Sequence, residues 1–143
     1  MSQESKKPRI FITGHTRGIG KAIALSYVRE GAQCVITSRK LDDLEATSEE
    51  GPEGTIKPFV CDVSNDESVA AMAEFVNDEF GGVDIVVNNA GIHAAGRFLD
   101  IDPATYTRLY EVNVVGIVRV SQAFLGGMIE RGRGSIVNIA STA

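Results

Sequence analysis

Five short apolar runs, each separated from the next by a stretch of helical spacing, constrain the fold of this chain more than any other feature. The runs are "RIFIT" (9–13), "QCVITS" (33–38), "TIKPFVCDV" (55–63), "VDIVVNNAG" (83–91) and "GSIVNIAS" (134–141). They are rich in Val and Ile and nearly continuous in their apolar character, as strands buried on both faces are. Between them the spacing predicts helices over 18–30, over the acidic stretch 41–50, over 64–80 with Val69, Met72 and Val76 as its apolar stripe, and over an unusually long apolar stretch, 103–130. Strands that alternate with helices form a parallel sheet covered on both sides. Right-handed crossovers then place the first strand in the middle, in the doubly wound α/β order 3-2-1-4-5. Such a sheet opens a ligand crevice at the carboxyl ends of strands 1 and 4, where the winding reverses.

Local signals fit this reading. Gly31 stops the first helix, and Gly81-Gly82 stop the third. Ser64 and Glu67 have the spacing of a capping box, and Asp102-Pro103 that of an N-cap with Pro at the first helical position. "EGPEG" (50–54) is a turn, and Pro58 predicts that the pairing of the third strand is interrupted on one side. The chain has 143 residues, enough for one domain with its own core. Residues 1–8 read as a disordered lead-in and 9–143 as the domain. A net charge of −5 gives no basic field for nucleic acid or an anionic membrane. No apolar run of membrane-spanning length or signal-peptide core is apparent, so the expected location is cytoplasmic. Cys34 and Cys61 lie in apolar runs without metal-site spacing and read as buried thiols.

The turn after the first strand, "TGHTRGIG" (13–20), spends three glycines where a helix begins. At that place Gly14 serves a sharp turn, Gly18 the approach of a bulky anion, and Gly20 close packing of helix on sheet. The helix N-terminus then presents N–H groups and its positive dipole end to a diphosphate. The spacing GxxxGxG lacks the Lys-Ser/Thr ending of a nucleotide-triphosphate loop. At the end of strand 2, where an NAD-selective protein carries an acid for the ribose 2′-hydroxyl, this chain has Ser38, Arg39 and Lys40. Arg17 sits in the turn itself. Guanidinium groups on both sides suit a 2′-phosphate, which points to NADP(H). His15 and His93 read as turn residues near the crevice, with no cluster to make a metal site.

"TGHTRGIG", "CDV" (61–63), "NNAG" (88–91), Asn113 and "GSIVNIAS" together resemble the short-chain dehydrogenase/reductase family, in its order and spacing, from about residue 9 onward. The glycine-rich turn looks especially like that of 3-oxoacyl-carrier-protein reductases. The resemblance implies a Rossmann-type fold and an oxidoreductase that moves a hydride between NADP(H) and a carbonyl or alcohol carbon of a small molecule. It implies cofactor contacts from Gly14, Thr16, Arg17, Gly18, Ile19, Gly20, Ser38 and Arg39, from Asp62 and Val63 at the adenine, and from Asn89, Ala90 and Gly91 at the ribose. It also implies catalytic roles for Ser141, which would bond the substrate carbonyl oxygen, and for Asn113, which would hold a water in a proton relay. From the residues alone, Asp62 is also readable as a helix-entry residue, "NNAG" as a strand-ending turn and Asn113 as a structural amide.

The family's chemistry further needs a Tyr followed four residues on by Lys. Tyr27, Tyr106 and Tyr110 do not have that pattern. The fifth strand is expected to be an open edge, and the helix 103–130 has more apolar positions than one sheet can cover. The expectation is therefore the N-terminal, catalytically incomplete part of a reductase, homo-oligomeric at full length, that binds NADPH weakly and does not turn over alone. The alternative is a non-enzymatic NADP(H)-binding or partner-binding module.

Overall fold

Every apolar run becomes a strand of one sheet. A computed structural model describes residues 6–14 and 18–141. The order is β1 (Arg9–Ile12), α1 (Ile19–Arg29), β2 (Gln33–Ser38), α2 (Leu41–Glu50), β3 (Ile56–Val60), α3 (Asp66–Phe80), β4 (Ile85–Asn88), a short 3₁₀ turn (Phe98–Asp100), α4 (Pro103–Tyr110), a π-helical turn (Glu111–Val115), α5 (Gly116–Arg131) and β5 (Ser135–Asn138). The sheet order is β3-β2-β1-β4-β5, and all four pairings are parallel. Pro58 lies on the edge strand β3, opposite Ile36 of β2, so its missing N–H leaves no gap inside the sheet. β5 is the other edge, with Val137 42% exposed.

Alternation along the strands divides the core in two. Phe11, Val35 and Val86 face α3 and α5, where they meet Met72, Val76, Val120, Phe124 and Met128. The Phe11 and Phe124 rings pack at 5.1 Å between centroids. Ile10, Ile12, Cys34, Ile36 and Val87 face the opposite way, onto Ala24 and Val28 of α1 and Leu44 of α2. Burial pushes the Cys34 thiol up to about 12, and it raises the Cys61 thiol as well.

Three local expectations change. The N-cap of α3 is Asn65, whose side chain accepts from the Ser68 N–H at 2.8 Å, and not Ser64. Ser64 instead turns back to Asp62, donating its hydroxyl at 2.6 Å and its N–H at 2.9 Å to Oδ1. β3 and β4 are shorter at their carboxyl ends than the apolar runs suggest, because side chains there take over backbone groups from the ladder. The long apolar helix is one helical run of 29 residues, Pro103–Arg131, interrupted by the π-helical turn. By length and composition this run could cross a membrane, contrary to the sequence reading. Val120, Phe124 and Met128 bury one face of it on the sheet, and 28% of its most apolar stretch is buried.

At the amino end of the sheet, Arg9 and Asp84 close β1 against β4. The Arg9 guanidinium donates to Asp84 through Nε at 3.0 Å and Nη2 at 2.9 Å, and through Nη1 to the Phe80 carbonyl at 2.9 Å. Arg9 is 5% exposed. These bonds hold the Asp84 carboxyl down to about 2, against an ordinary 3.8. Replacing Asp84 by Ala leaves a buried guanidinium without its counter-charge, so urea unfolding should show a loss of about 2–4 kcal/mol. Because the folded-state pKa is depressed, the pair's contribution is fully present above about pH 4 and disappears as pH falls through about 2. Acid titration of the unfolding free energy should lose about 1–2 kcal/mol over that window through this pair, and the Asp84→Ala variant should lose correspondingly less.

Candidate functional site

At the opposite, carboxyl end of the sheet the turns after β1 and β4 are tied together. The Thr13 hydroxyl oxygen accepts the N–H groups of both Asn89 and Ala90 at 3.0 Å. The Asn89 side-chain amide donates to the Gly14 carbonyl at 2.9 Å. The chain can pass only because residue 14 has no side chain. A Cβ there would lie 2.3 Å from the Ala90 Cα, and φ is +66°. Thr13 is 1% exposed and escaped the sequence reading. Its one signal is a hydroxyl at the end of a buried strand, where it must find backbone partners.

Gly18, with φ +66°, caps the N-terminus of α1, and the first turn of that helix carries no acid. No carboxylate of the helix's own first turn therefore competes for the free N–H groups and the dipole. Gly18 and Ile19 line the crevice, while Gly20 is buried with Ala24 and Val28 on the inner side of α1. Thr16 and Arg17, with His15, lie outside the described residues.

β2 delivers the cationic side. The Ser38 hydroxyl accepts the Lys40 N–H at 3.0 Å, which fixes the turn carrying Arg39. Ser38, Arg39, Lys40 and also Asp43 line the crevice. β3 delivers Asp62 and Val63. Asp62 is held by the two Ser64 bonds, and its own N–H donates to the Ser68 hydroxyl at 2.9 Å. The Ser64 hydroxyl lowers the Asp62 carboxyl below its ordinary value against the opposing effect of burial; the Ser64 N–H and the charges of Arg39 and Arg108 add to it. Asp62 is thus an anion beside the crevice, with Oδ1 engaged by Ser64.

Asn89, Ala90 and Gly91 form the β4 side, continued by Ile92 and His93. Asn113, in the π-helical turn, clasps Ile92 on both sides. Its Oδ1 accepts the Ile92 N–H and its Nδ2 donates to the Ile92 carbonyl, each at 2.8 Å. Asn88 has a different part. It is 3% exposed and donates to Asn138 Oδ1 at 2.9 Å and Ser121 Oγ at 3.2 Å, joining β4, β5 and α5. Ser141 is exposed, three residues beyond the end of β5. Asn113, Ser141 and Gly20 are not part of the crevice wall; the other described candidates from the sequence are.

The crevice has a volume of about 1140 Å³. Its donor set suits a phosphorylated dinucleotide. An acid-free helix N-terminus stands at the middle, two cations follow β2, and a fixed carboxylate follows β3. Among the described residues, no group of three or more His, Cys, Asp or Glu could hold a metal ion.

Comparison with known proteins agrees with this geometry. The chain is 40% identical over 144 residues to the uncharacterized oxidoreductase YvrD of Bacillus subtilis, covering 100% of this chain and 54% of YvrD. It is 38% identical over 137 residues to the 3-oxoacyl-[acyl-carrier-protein] reductase FabG of Vibrio cholerae, covering 91% of this chain and 53% of FabG. A crystal structure of an actinorhodin polyketide ketoreductase variant with NADPH superposes with a TM-score of 0.89 at 35% identity, over 95% of this chain and 54% of that one. A metagenomic short-chain oxidoreductase in complex with NADP gives 0.88 at 35% identity, over 95% and 63%. The chain thus spans about half the length of the curated relatives YvrD and FabG. Residues 8–143 match the family model described as short chain dehydrogenase, and the chain belongs to that family of oxidoreductases.

Proposed function

We propose that this chain carries the NADP(H)-binding part of an oxidoreductase that transfers a hydride between the nicotinamide and a carbonyl or alcohol carbon of a small molecule. The observation that carries the cofactor choice is Arg39 in the crevice wall at the end of β2, with Lys40 beside it. An acid at that place would select the 2′-hydroxyl of NAD, whereas a guanidinium fork suits the 2′-phosphate of NADP(H). Structures of similar proteins with NADPH and NADP support the reading.

When bound, the cofactor supplies the hydride. The chain's residues would hold it: Gly14, Gly18 and Ile19 beside the diphosphate, Ser38, Arg39 and Lys40 at the 2′-phosphate, Asp62 and Val63 at the adenine, and Asn89 to Gly91 along the ribose. Thr16 and Arg17 would complete the turn. Asn113 would position the Ile92 segment and a proton-relay water, and Ser141 would donate to the carbonyl oxygen of the substrate. The 143 residues contain no Tyr-x-x-x-Lys to deliver the proton. The chain by itself should therefore bind NADPH and show no turnover with carbonyl compounds. Tyr110 and Ile129, 60% and 70% exposed on the α4–α5 run, would be covered by a second copy in a full-length, cytoplasmic homo-oligomer.

Fluorescence titration of NADPH and NADH tests the cofactor reading. Arg39→Ala should weaken NADPH by about 1–3 kcal/mol, the loss of a charged hydrogen bond, and leave NADH nearly unchanged. Equal effects on both cofactors would overturn the assignment of Arg39 to a 2′-phosphate. Gly14→Ala should behave differently, abolishing detectable binding of both cofactors and lowering the urea midpoint, because its methyl group must displace the Ala90 backbone.

A further inference from the structure

Gly116 opens α5 with ordinary helical backbone angles, φ −58° and ψ −40°. No turn or left-handed conformation requires a glycine there, and glycine is among the weakest helix formers. Its use is space. A Cβ at this position would lie 2.9 Å from Val63 Cγ2, 3.2 Å from Val63 Cβ and 3.4 Å from the Val63 carbonyl oxygen. Val63 is 7% exposed and has Gly116 on one side and the crevice on the other.

Val63 cannot yield by itself. Its side chain is branched at Cβ and stiff. The preceding residue, Asp62, is bonded through its carboxylate to Ser64 and through its N–H to the Ser68 hydroxyl. The segment 62–64 therefore moves as a unit or not at all. The same helical run also anchors the other end of the crevice, since Asn113, three residues before Gly116, clasps the Ile92 backbone.

We infer that Gly116 is a positioning residue for the adenine end of the crevice: its missing side chain sets where Val63, and with it Asp62, stands in the wall. The inference rests on the NADP(H) reading and names a residue that is not part of the crevice wall. An added methyl group drives the 62–64 segment into the crevice and weakens whatever binds the adenine end.

The test is a double-mutant cycle with the full chain, titrating adenosine 2′,5′-bisphosphate and NADPH into wild type, Gly116→Ala, Val63→Ala and the double variant. Urea midpoints of the ligand-free proteins are measured alongside. Gly116→Ala should weaken both ligands about tenfold when Val63 is present, and clearly less in the Val63→Ala background, where the 2.9 Å contact with Cγ2 is gone and the 3.2 Å contact with Cβ remains. If Gly116→Ala unfolds the protein but the double variant folds and binds as Val63→Ala does, the contact is likewise supported. Equal losses in both backgrounds, no loss in either, or a double variant that still fails to fold would overturn the inference. Failure of the wild type to bind either ligand would overturn the cofactor reading itself, and this inference with it.

Discussion

One buried hydroxyl joins the two turns on which the crevice depends. Thr13 accepts two N–H groups from the segment after β4, and Asn89 returns a bond to Gly14. Parallel neighbours whose crossovers leave in opposite directions, as β1 and β4 do, separate at their carboxyl ends and leave partly buried backbone groups without ladder partners there. Unpaired, those groups would carry a desolvation cost of about 1–3 kcal/mol each. Side-chain bonds satisfy them while the space between the crossovers stays open. The close passage of Gly14 over Ala90 follows from the same joint.

The two ends of the β1–β4 pair are closed by different means. At the amino end a buried ion pair, Arg9 with Asp84, holds strand to strand and reaches the last carbonyl of α3. In the middle, apolar side chains face both ways into two cores. At the carboxyl end only short polar groups and backbone are used, so nothing bulky fills the crevice. A charge pair there would compete with a phosphorylated ligand; the carboxylates that do line the crevice, Asp43 and Asp62, stand on the flanking β2 and β3 sides.

Much of this was legible in the residues. The strand over 33–38 and the helix over 41–50 coincide with β2 and α2, because continuous β-branched runs and acidic helical stretches leave little choice of backbone. The strand order follows from alternation and handedness alone. Gly14 and Gly18 of the glycine turn and Ser38, Arg39 and Lys40 after β2, singled out by their chemistry, do line the crevice. Ser64 has the spacing of a cap but does not act as one, because a neighbouring carboxylate, Asp62, offers its hydroxyl a better partner and Asn65 is one residue nearer the helix, neither of which the spacing Ser-x-x-Glu encodes. Asn88 and Asn89 are adjacent and alike in sequence, yet one ties β4 to β5 and the other ties β4 to the β1 turn. Alternation of side chains across a sheet separates them, and that depends on register.

What the sequence determined by itself is the class of the fold, the place of the crevice and the kinds of groups around it, since these depend on periodicity, handedness and residue chemistry within short windows. Only the tertiary structure decided which polar groups are spent on holding strands together and which stand in the crevice wall. It also decided where the long helix takes its π-helical turn, bringing Asn113 onto Ile92 and Gly116 against Val63. Those outcomes rest on contacts between residues far apart in the chain, at separations of a few ångströms that no local pattern encodes.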